Sequence, residues 1–542
     1  MSKFLSKLPV LANPATTRLM DKAAIDFGVP ELMLMENAAR AALNVMEQNF
    51  GELKDVAVWL FMGNGNNGGD AAALARSLAD RGALPTLLCL KEPDQYSGAP
   101  AANLDLARRD NVPIVRIDAA SADEIFARLV ADSAENPSII VDGLLGTGFS
   151  GVLKPELAEL IRKINDFSRI NLARVLALDV PSGLNAVTGE ASPLAIRADI
   201  TVTFAADKPG LCLGGKWTGD VFVREVGFPR VIYESVPRDG SLLDGRVLLA
   251  SPSPIPNSYK NIYGHAYLVG GAPGMGGAIC LSALAALRAG AGLVTVCAPS
   301  ATVAQARAFA PEIMTIDLGE SWPEEPREET IQKLSGGDAL VIGPGMGLGA
   351  ENFLTAILSA KNRPPAVIDA DALKIISRVS EAREAVAPND ILTPHPGEAG
   401  VLLGETHSQI QGDRPRALSN LTKSFSAVCV LKGADTLIGQ AGVPAILCPY
   451  DIPRLAIAGA GDVLAGCVGA LLGRRDNVSS IDAAAKGVIL HALAAVMLAQ
   501  KFPVRGVLAH DLANAIPHVE AWLASLDKTE LKRGLSPWPR SL

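Results

Sequence analysis

The sequence predicts an α/β protein with two crevice-bearing domains in series, and three observations predict it. Continuous apolar runs of strand length alternate with alanine-rich helical stretches along the chain. Two of those runs break directly into dense glycine loops that open a helix, at residues 63–70 and 270–277. At 542 residues the chain is also too long for a single core.

Composition narrows the class of partner. The formal net charge of -8, with no long Lys/Arg cluster, argues against a nonspecific nucleic-acid binder. Seven cysteines, Cys89, Cys212, Cys280, Cys297, Cys429, Cys448 and Cys467, show no C-x-x-C pair and read as small core residues in a reducing compartment. Residues 1–14 lack the apolar centre of a signal peptide, and the longest apolar run, 487–498, contains His491 and is too short to span a bilayer. A cytoplasmic protein with no membrane partner is expected.

In the first half, Thr16 or Thr17 is placed to cap a helix through Phe27, and a second helix runs from Glu31 to about Gln48 with Met35, Ala38, Ala42 and Val45 on one face. A strand at 56–62 then gives way to Gly63-Asn64-Gly65-Asn66-Asn67-Gly68-Gly69-Asp70 and a helix to Ala79. This is the layout of a nucleotide-binding βα unit. Two adjacent amides and a carboxylate at the loop tip suit a cation or a ligand edge as well as phosphate; plain positive-φ turn geometry is the other reading. Further strands at 85–90, 113–117, 138–141 and 174–178, with helices between them, fit a mostly parallel, doubly wound, Rossmann-like sheet. Two of them end in acids, Asp142 and Asp179, each opening a glycine-bearing loop. Three such strand ends should converge on one mouth.

Periodicity fades between Phe228 and Ser258, where Pro229, Pro237, Pro252, Pro254 and Pro256 punctuate the chain. The domains are therefore set at 1–235 and 236–542. The second half starts anew with a strand at 265–269, a glycine loop and a helix at 278–289. Strands follow at 293–297, 339–342, 366–368 and 427–431, the last leading into Lys432. Asp369 and Asp371 read either as caps of the next helix or as metal ligands. His395, between two prolines, reads as a ligand contact oriented by Glu398 or as a helix-start residue; His491 reads as a packed core histidine.

The loop Ala458-Gly459-Ala460-Gly461-Asp462 precedes an apolar run through Leu472. Free amides and the positive end of the helix dipole make it an anion site. Asp462 in the first turn is then either a general base on a hydroxyl beside a phosphate or simply a capping acid.

The first half, over most of residues 15–228, resembles NAD(P)H-hydrate epimerase. The motifs that carry the resemblance are residues 62–70, VDGLLGTG at 141–148, ALDVPSGLN at 177–185 and ADITVTFAADKPGL at 198–211. The resemblance implies a potassium ion held by Asn67, Asp142 and Ser182. It implies contacts to the hydrated cofactor, NADHX or NADPHX, from Asn66, Asn67, Gly68, Gly69, Asp70, Gly146, Thr147, Gly148, Phe149, Ser150, Gly151, Val152 and Asp179. One carboxylate among neutral oxygens suits a monovalent cation, and Asp179 is left as the proton shuttle at the hydroxyl-bearing ring carbon. Ala71 departs from the family, which continues with glycine there.

From about Ser258 to Trp522 the chain resembles the ribokinase-like superfamily and, within it, ADP-dependent NAD(P)H-hydrate dehydratase. That resemblance implies adenine-nucleotide contacts, to ADP or ATP with magnesium, from Lys432, Gly433, Ala434, Asp435, Thr436 and Gly461. Ala278, Gly345, His395 and Asp462 would meet the hydrated cofactor, with Asp462 deprotonating its hydroxyl. Tyr259-Lys260-Asn261, where the family reads His-Lys-Gly, and residues 450–455 depart from it. Taken together, the expected activity is epimerisation of R and S hydrates in the first half and nucleotide-driven dehydration of the S form in the second, releasing AMP and phosphate from ADP. A homo-oligomer acting on small molecules is expected. An ordinary hydroxyl kinase and a cofactor sensor with a degenerate first domain are the alternatives.

Overall fold

The computed structural model describes residues 8–132, 137–191, 193–249, 257–347, 349–450, 452–475, 478–502 and 505–525. They form two compact units, one from Pro9 to Gly240 and one from Ser241 onward.

The first unit is built on seven parallel strands: β1 Ala57–Met62, β2 Leu84–Cys89, β3 Ile114–Arg116, β4 Ile139–Gly143, β5 Arg174–Leu178, β6 Ile200–Phe204 and β7 Asp220–Arg224. Their order is β3-β2-β1-β4-β5-β6-β7. The central strand is apolar at every position because both of its faces are covered: Leu60 and Met62 join one core cluster, Trp59 and Phe61 the other. Burying each such side chain contributes about 1.5–3 kcal/mol before the entropy of ordering is counted.

The first helix differs from expectation at its start. It runs Pro14–Phe27, capped by Asn13, whose side-chain oxygen accepts from the N–H groups of Ala15 and Thr16 at 2.8 and 2.9 Å. Thr17 instead donates its hydroxyl to the Asn13 carbonyl. Proline at the first helical position, with its fixed φ and absent donor, moves the cap three residues upstream of the threonines.

The second unit carries β8 His265–Val269, β9 Leu293–Ala298, β10 Met314–Asp317, β11 Ala339–Ile342, β12 Ala366–Ile368, β13 Ile391–Leu392, β14 Val428–Leu431, β15 Thr436–Gln440 and β16 Val443–Cys448. In the sheet they lie β16-β15-β14-β13-β12-β11-β8-β9-β10. Pairing is parallel from β10 to β14, and the β14-β15-β16 end is antiparallel. In each unit one strand sits between neighbours that follow it by opposite routes: β1 between β2 and β4, β8 between β9 and β11. Connections diverge there, leaving a crevice at the carboxyl ends of the strands.

The Ser480–Lys501 helix is longer than the apolar run that marks it in the sequence. Residues 480–499 are long and apolar enough to cross a membrane by length and composition, because Ala483 to Ala485 extend the run at its start; 78% of that window is buried within the protein. All seven cysteines are buried and none of them forms a disulfide, as expected of core residues.

Glycine is required where β1 ends. The Gly63 N–H donates to the Gly143 carbonyl at 3.0 Å, and a β-carbon at residue 63 would lie 1.8 Å from the Leu144 carbonyl oxygen. Neither backbone can yield alone, so Gly63→Ala is expected to destabilise the first unit by about 1–3 kcal/mol or more. A lowered melting midpoint of that unit checks this; an unchanged midpoint would show that the two strand ends are not in contact.

Candidate functional site

The crevice of the first unit is a cavity of ≈ 610 Å³. Its wall includes Asn64 to Asn67 and Asp70 from the first glycine loop and helix, Leu144 to Ser150 from the loop after β4, Asp179 after β5, and Lys208 beyond β6. Of the expected contacts, Asn66, Asn67, Asp70, Gly146, Thr147, Gly148, Phe149, Ser150 and Asp179 are brought together on this wall. Gly68 and Gly69 are not; they pack against Gly63 and Met35, where a β-carbon would collide at 2.2 and 2.8 Å. Gly151 and Val152 also stand off the wall, and Val152 is 75% exposed. Ala71 is fully buried, with its β-carbon filling the space over Gly143, so the departure from glycine is accommodated there by the second glycine.

Asp179 is held in a left-handed backbone conformation, φ 60°, uncommon for a residue with a side chain. Its carboxylate accepts from Lys208 Nζ at 2.8 Å, from the Thr203 hydroxyl at 3.2 Å and from the Thr147 amide at 3.2 Å. Lys208 is fully buried, and its ammonium also donates to Thr203 Oγ1 and to the Phe204 carbonyl. Burial pushes the Asp179 pKa up, but the Lys208 charge, with the hydrogen bonds from Lys208, Thr147 and Thr203, wins and holds it below the ordinary carboxylate value. Lys208 lies in a motif that the sequence marks, yet nothing there signals its role, because its partner is 29 residues away. Asp70 has the opposite environment. It is buried beside Asp179, Asp21 and Glu31, and desolvation followed by those charges drives its pKa well up.

Beneath this wall lie the three oxygens expected to hold a cation. Asn67 donates through its amide nitrogen to the carbonyls of Leu145 and Leu178 at 2.6 and 3.0 Å, and its buried Oδ1 has no hydrogen-bond partner. Asp142 accepts from the Ser182 hydroxyl and N–H at 2.6 and 2.7 Å and from the Leu144 N–H at 3.1 Å. Burial pushes its pKa to about 6, against those hydrogen bonds. An orphaned amide oxygen near a desolvated carboxylate fits a cation of low charge.

In the second unit the strand ends bring a different set together. Lys432, after β14, donates Nζ to Asp369 Oδ1 at 2.7 Å and lies 3.7 Å from Glu398 Oε2. Asp369 also accepts from the Thr393 hydroxyl at 2.7 Å, so it anchors the lysine and caps no helix. Asp371 accepts from the Gly347 amide and from Lys374 Nζ, each at 2.9 Å. Among the described residues no group of three or more His, Cys, Asp or Glu is placed to hold a metal.

The Ala460–Leu472 helix starts from Gly459, φ 88°, with no side-chain cap, so Asp462 does not serve as a capping acid. A β-carbon on Gly461 would lie 3.5 Å from Lys432 Nζ, which puts the helix start beside that ammonium. Burial, then repulsion from Asp369, raises the Asp462 pKa to about 7, with Lys432 opposing and Asp371 and Glu398 adding. His491 is buried under this turn, its Nε2 3.0 Å from the Ala460 carbonyl, and burial lowers its pKa to about 4. It is the core histidine expected.

His395 caps the Pro396–Leu403 helix: Nδ1 accepts from Gly397 N at 3.0 Å, and the His395 N–H donates to Glu398 Oε2 at 2.8 Å. The helix-start role and the orienting glutamate therefore coexist, leaving a half-exposed ring edge beside the Lys432 cluster. Gly345 and Ala278 are neighbours; a β-carbon on Gly345 would lie 3.1 Å from that of Ala278. The 433–436 loop is held by Arg414, unforeseen in the sequence, which donates to the carbonyls of Leu431, Lys432 and Asp435. Gly433, φ 139°, leaves room for that guanidinium. Thr436 donates its hydroxyl back to the Gly433 carbonyl.

Comparison with known proteins agrees with both halves. Residues 31–210 match the family model for the YjeF-related protein N-terminus, and residues 266–518 match that for NAD(P)H-hydrate dehydratase. A crystal structure of an ADP/ATP-dependent NAD(P)H-hydrate dehydratase from Bacillus subtilis is 27% identical, covering 52% of this chain and 96% of that one with a TM-score of 0.45. The bifunctional NAD(P)H-hydrate repair enzyme of Coxiella burnetii is 34% identical over 94% of this chain and 99% of its own length. Those of Moorella thermoacetica and Escherichia coli are each 34% identical, over 95% and 92% of this chain and 97% and 91% of their own lengths. With both family models and these near full-length relatives matched, the chain belongs to the family of bifunctional NAD(P)H-hydrate repair enzymes.

Proposed function

We propose that the chain repairs hydrated NADH and NADPH in the cytoplasm, with residues 1–235 exchanging the R and S hydrates and residues 236–542 dehydrating the S form at the cost of ADP or ATP. The observation that carries the second activity is the uncapped Asp462 carboxylate at a helix start beside Lys432. A hydroxyl on the saturated ring carbon is a poor leaving group until it is phosphorylated. Asp462 takes the hydroxyl proton, and the oxygen attacks the terminal phosphorus of the nucleotide, breaking its phosphoanhydride bond and releasing AMP from ADP. The Gly459 to Gly461 amides at the positive helix end stabilise the phosphoryl group in transit. The ring nitrogen's lone pair then expels phosphate, and loss of a proton from the neighbouring ring carbon restores the dihydropyridine. Lys432 to Thr436 bind the nucleotide, and Ala278, Gly345 and His395 position the ring. Magnesium would accompany the nucleotide phosphates; among the described residues no group of three or more His, Cys, Asp or Glu is placed to hold it by itself.

In the first unit Asp179 is the carboxylate that moves a proton at the hydroxyl-bearing carbon, kept ionised by Lys208. Asn67, Asp142 and Ser182 would hold potassium, which would supply fixed positive charge to the site.

The test mixes purified protein with both hydrate epimers and each nucleotide in turn and follows nicotinamide absorbance. Both epimers should be recovered fully as NADH or NADPH. Because Asp462 must be ionised to accept a proton, the rate at saturating substrate should rise with pH through about 7 and then level. Accumulation of a stable phosphorylated product would instead identify an ordinary hydroxyl kinase.

A further inference from the structure

The cavity of the first unit holds more carboxylates than one proton shuttle needs. Asp21, on the Pro14–Phe27 helix, lines it together with Glu31, Asp70 and Asp179, and the cations on the same wall are Arg18 and Lys208. Lys208 is committed to Asp179 at 2.8 Å. Among the described residues neither Asp21 nor Asp70 has a hydrogen-bond or ion-pair partner, although Asp70 is only 9% exposed. The carboxylates thus divide by element: Asp179 is pinned as an anion at the sheet side, and Asp21 faces the same space unpaired from the helix side.

We propose that Asp21 is the acid that works against Asp179 in epimer exchange, an inference that rests on the epimerase reading of this cavity. Inverting a carbon that bears both a hydroxyl and a ring nitrogen needs one group to give a proton and another to take one. Asp21 protonates the hydroxyl; the C–O bond breaks as the nitrogen lone pair forms C=N, and water leaves. A water at the other face adds to the carbon, forming the new C–O bond, and gives its surplus proton to Asp179. One proton has moved from Asp21 to Asp179, and the reverse exchange returns it. Burial first, then Asp179 and Glu31 against the opposing Lys208 charge, raises the Asp21 pKa to about 6, so both of its forms are populated near neutrality. Burial and the neighbouring carboxylates of Asp179, Asp21 and Glu31 push the Asp70 pKa well up, which disfavours its charged form in this space.

The experiment measures exchange of separated R and S hydrates by the full-length protein without nucleotide, beside dehydration of the pure S hydrate with ADP. Asp21→Asn should slow exchange by roughly 10²-fold, with dehydration unchanged, and Asp21→Glu should restore part of the loss. Wild-type exchange should fall as pH rises through about 6, a limb absent from Asp21→Asn. Exchange in Asp21→Asn within about threefold of wild type, or the same pH limb in the variant, would overturn the proposal. Failure of the wild-type protein to exchange the epimers at all would overturn the epimerase reading itself.

Discussion

Asp462→Asn should lower nucleotide-dependent recovery of reduced cofactor by roughly 10²-fold or more, the range for losing a general base, while epimer exchange proceeds at the wild-type rate. The substitution keeps side-chain size and removes only the ability to accept a proton. It should not unfold the helix start, because the carboxylate caps nothing there. It also removes one negative charge from a cluster already holding Asp369, Asp371 and Glu398 around a single Lys432, so nucleotide affinity should hold or improve. A fall in kcat with little change in the KM for nucleotide is the signature. Recovery that persists in this variant would assign the base elsewhere, and a loss confined to KM would make Asp462 a binding group only.

Much of the strand frame was legible because strands buried on both faces are written as unbroken apolar runs, as residues 57–62 and 339–342 are; the strands at 200–204, 220–224, 314–317 and 391–392 were not read. The β15-β16 hairpin was not, since its half-buried strands carry a mixed pattern and its register depends on β14. Site residues divide along the same line. Glycines and acids at strand ends announce themselves through local chemistry; Lys208 and Arg414 do not, since each finds partners about 17 to 29 residues away only once the sheet closes. Asp21 sits in an ordinary amphipathic helix, and only the cavity gives its carboxylate a reason to matter.

The Asp179–Lys208 pair allows chemistry and stability to be separated. Asp179→Asn should abolish epimer exchange, and it should also destabilise the first unit, because it leaves a fully buried ammonium without its anion. Breaking one side of such a pair costs about 3–5 kcal/mol. Loss of activity in this variant alone would therefore be ambiguous. Lys208→Met removes the cation and leaves Asp179 buried, with only the Thr203 hydroxyl and Thr147 amide to hold its charge, so its pKa should climb and the carboxylate should be lost as a base at neutral pH. The double variant Asp179→Asn/Lys208→Met replaces the ion pair with a neutral amide and an apolar chain of similar length. Buried pairs exchanged whole for neutral groups are often close to neutral in stability. The double variant should therefore recover most of the melting midpoint lost in either single one while epimer exchange stays abolished and dehydration of the S hydrate is untouched. Exchange that returns along with stability would mean that the pair only braces the loops around the cavity, and that the proton is moved by another group.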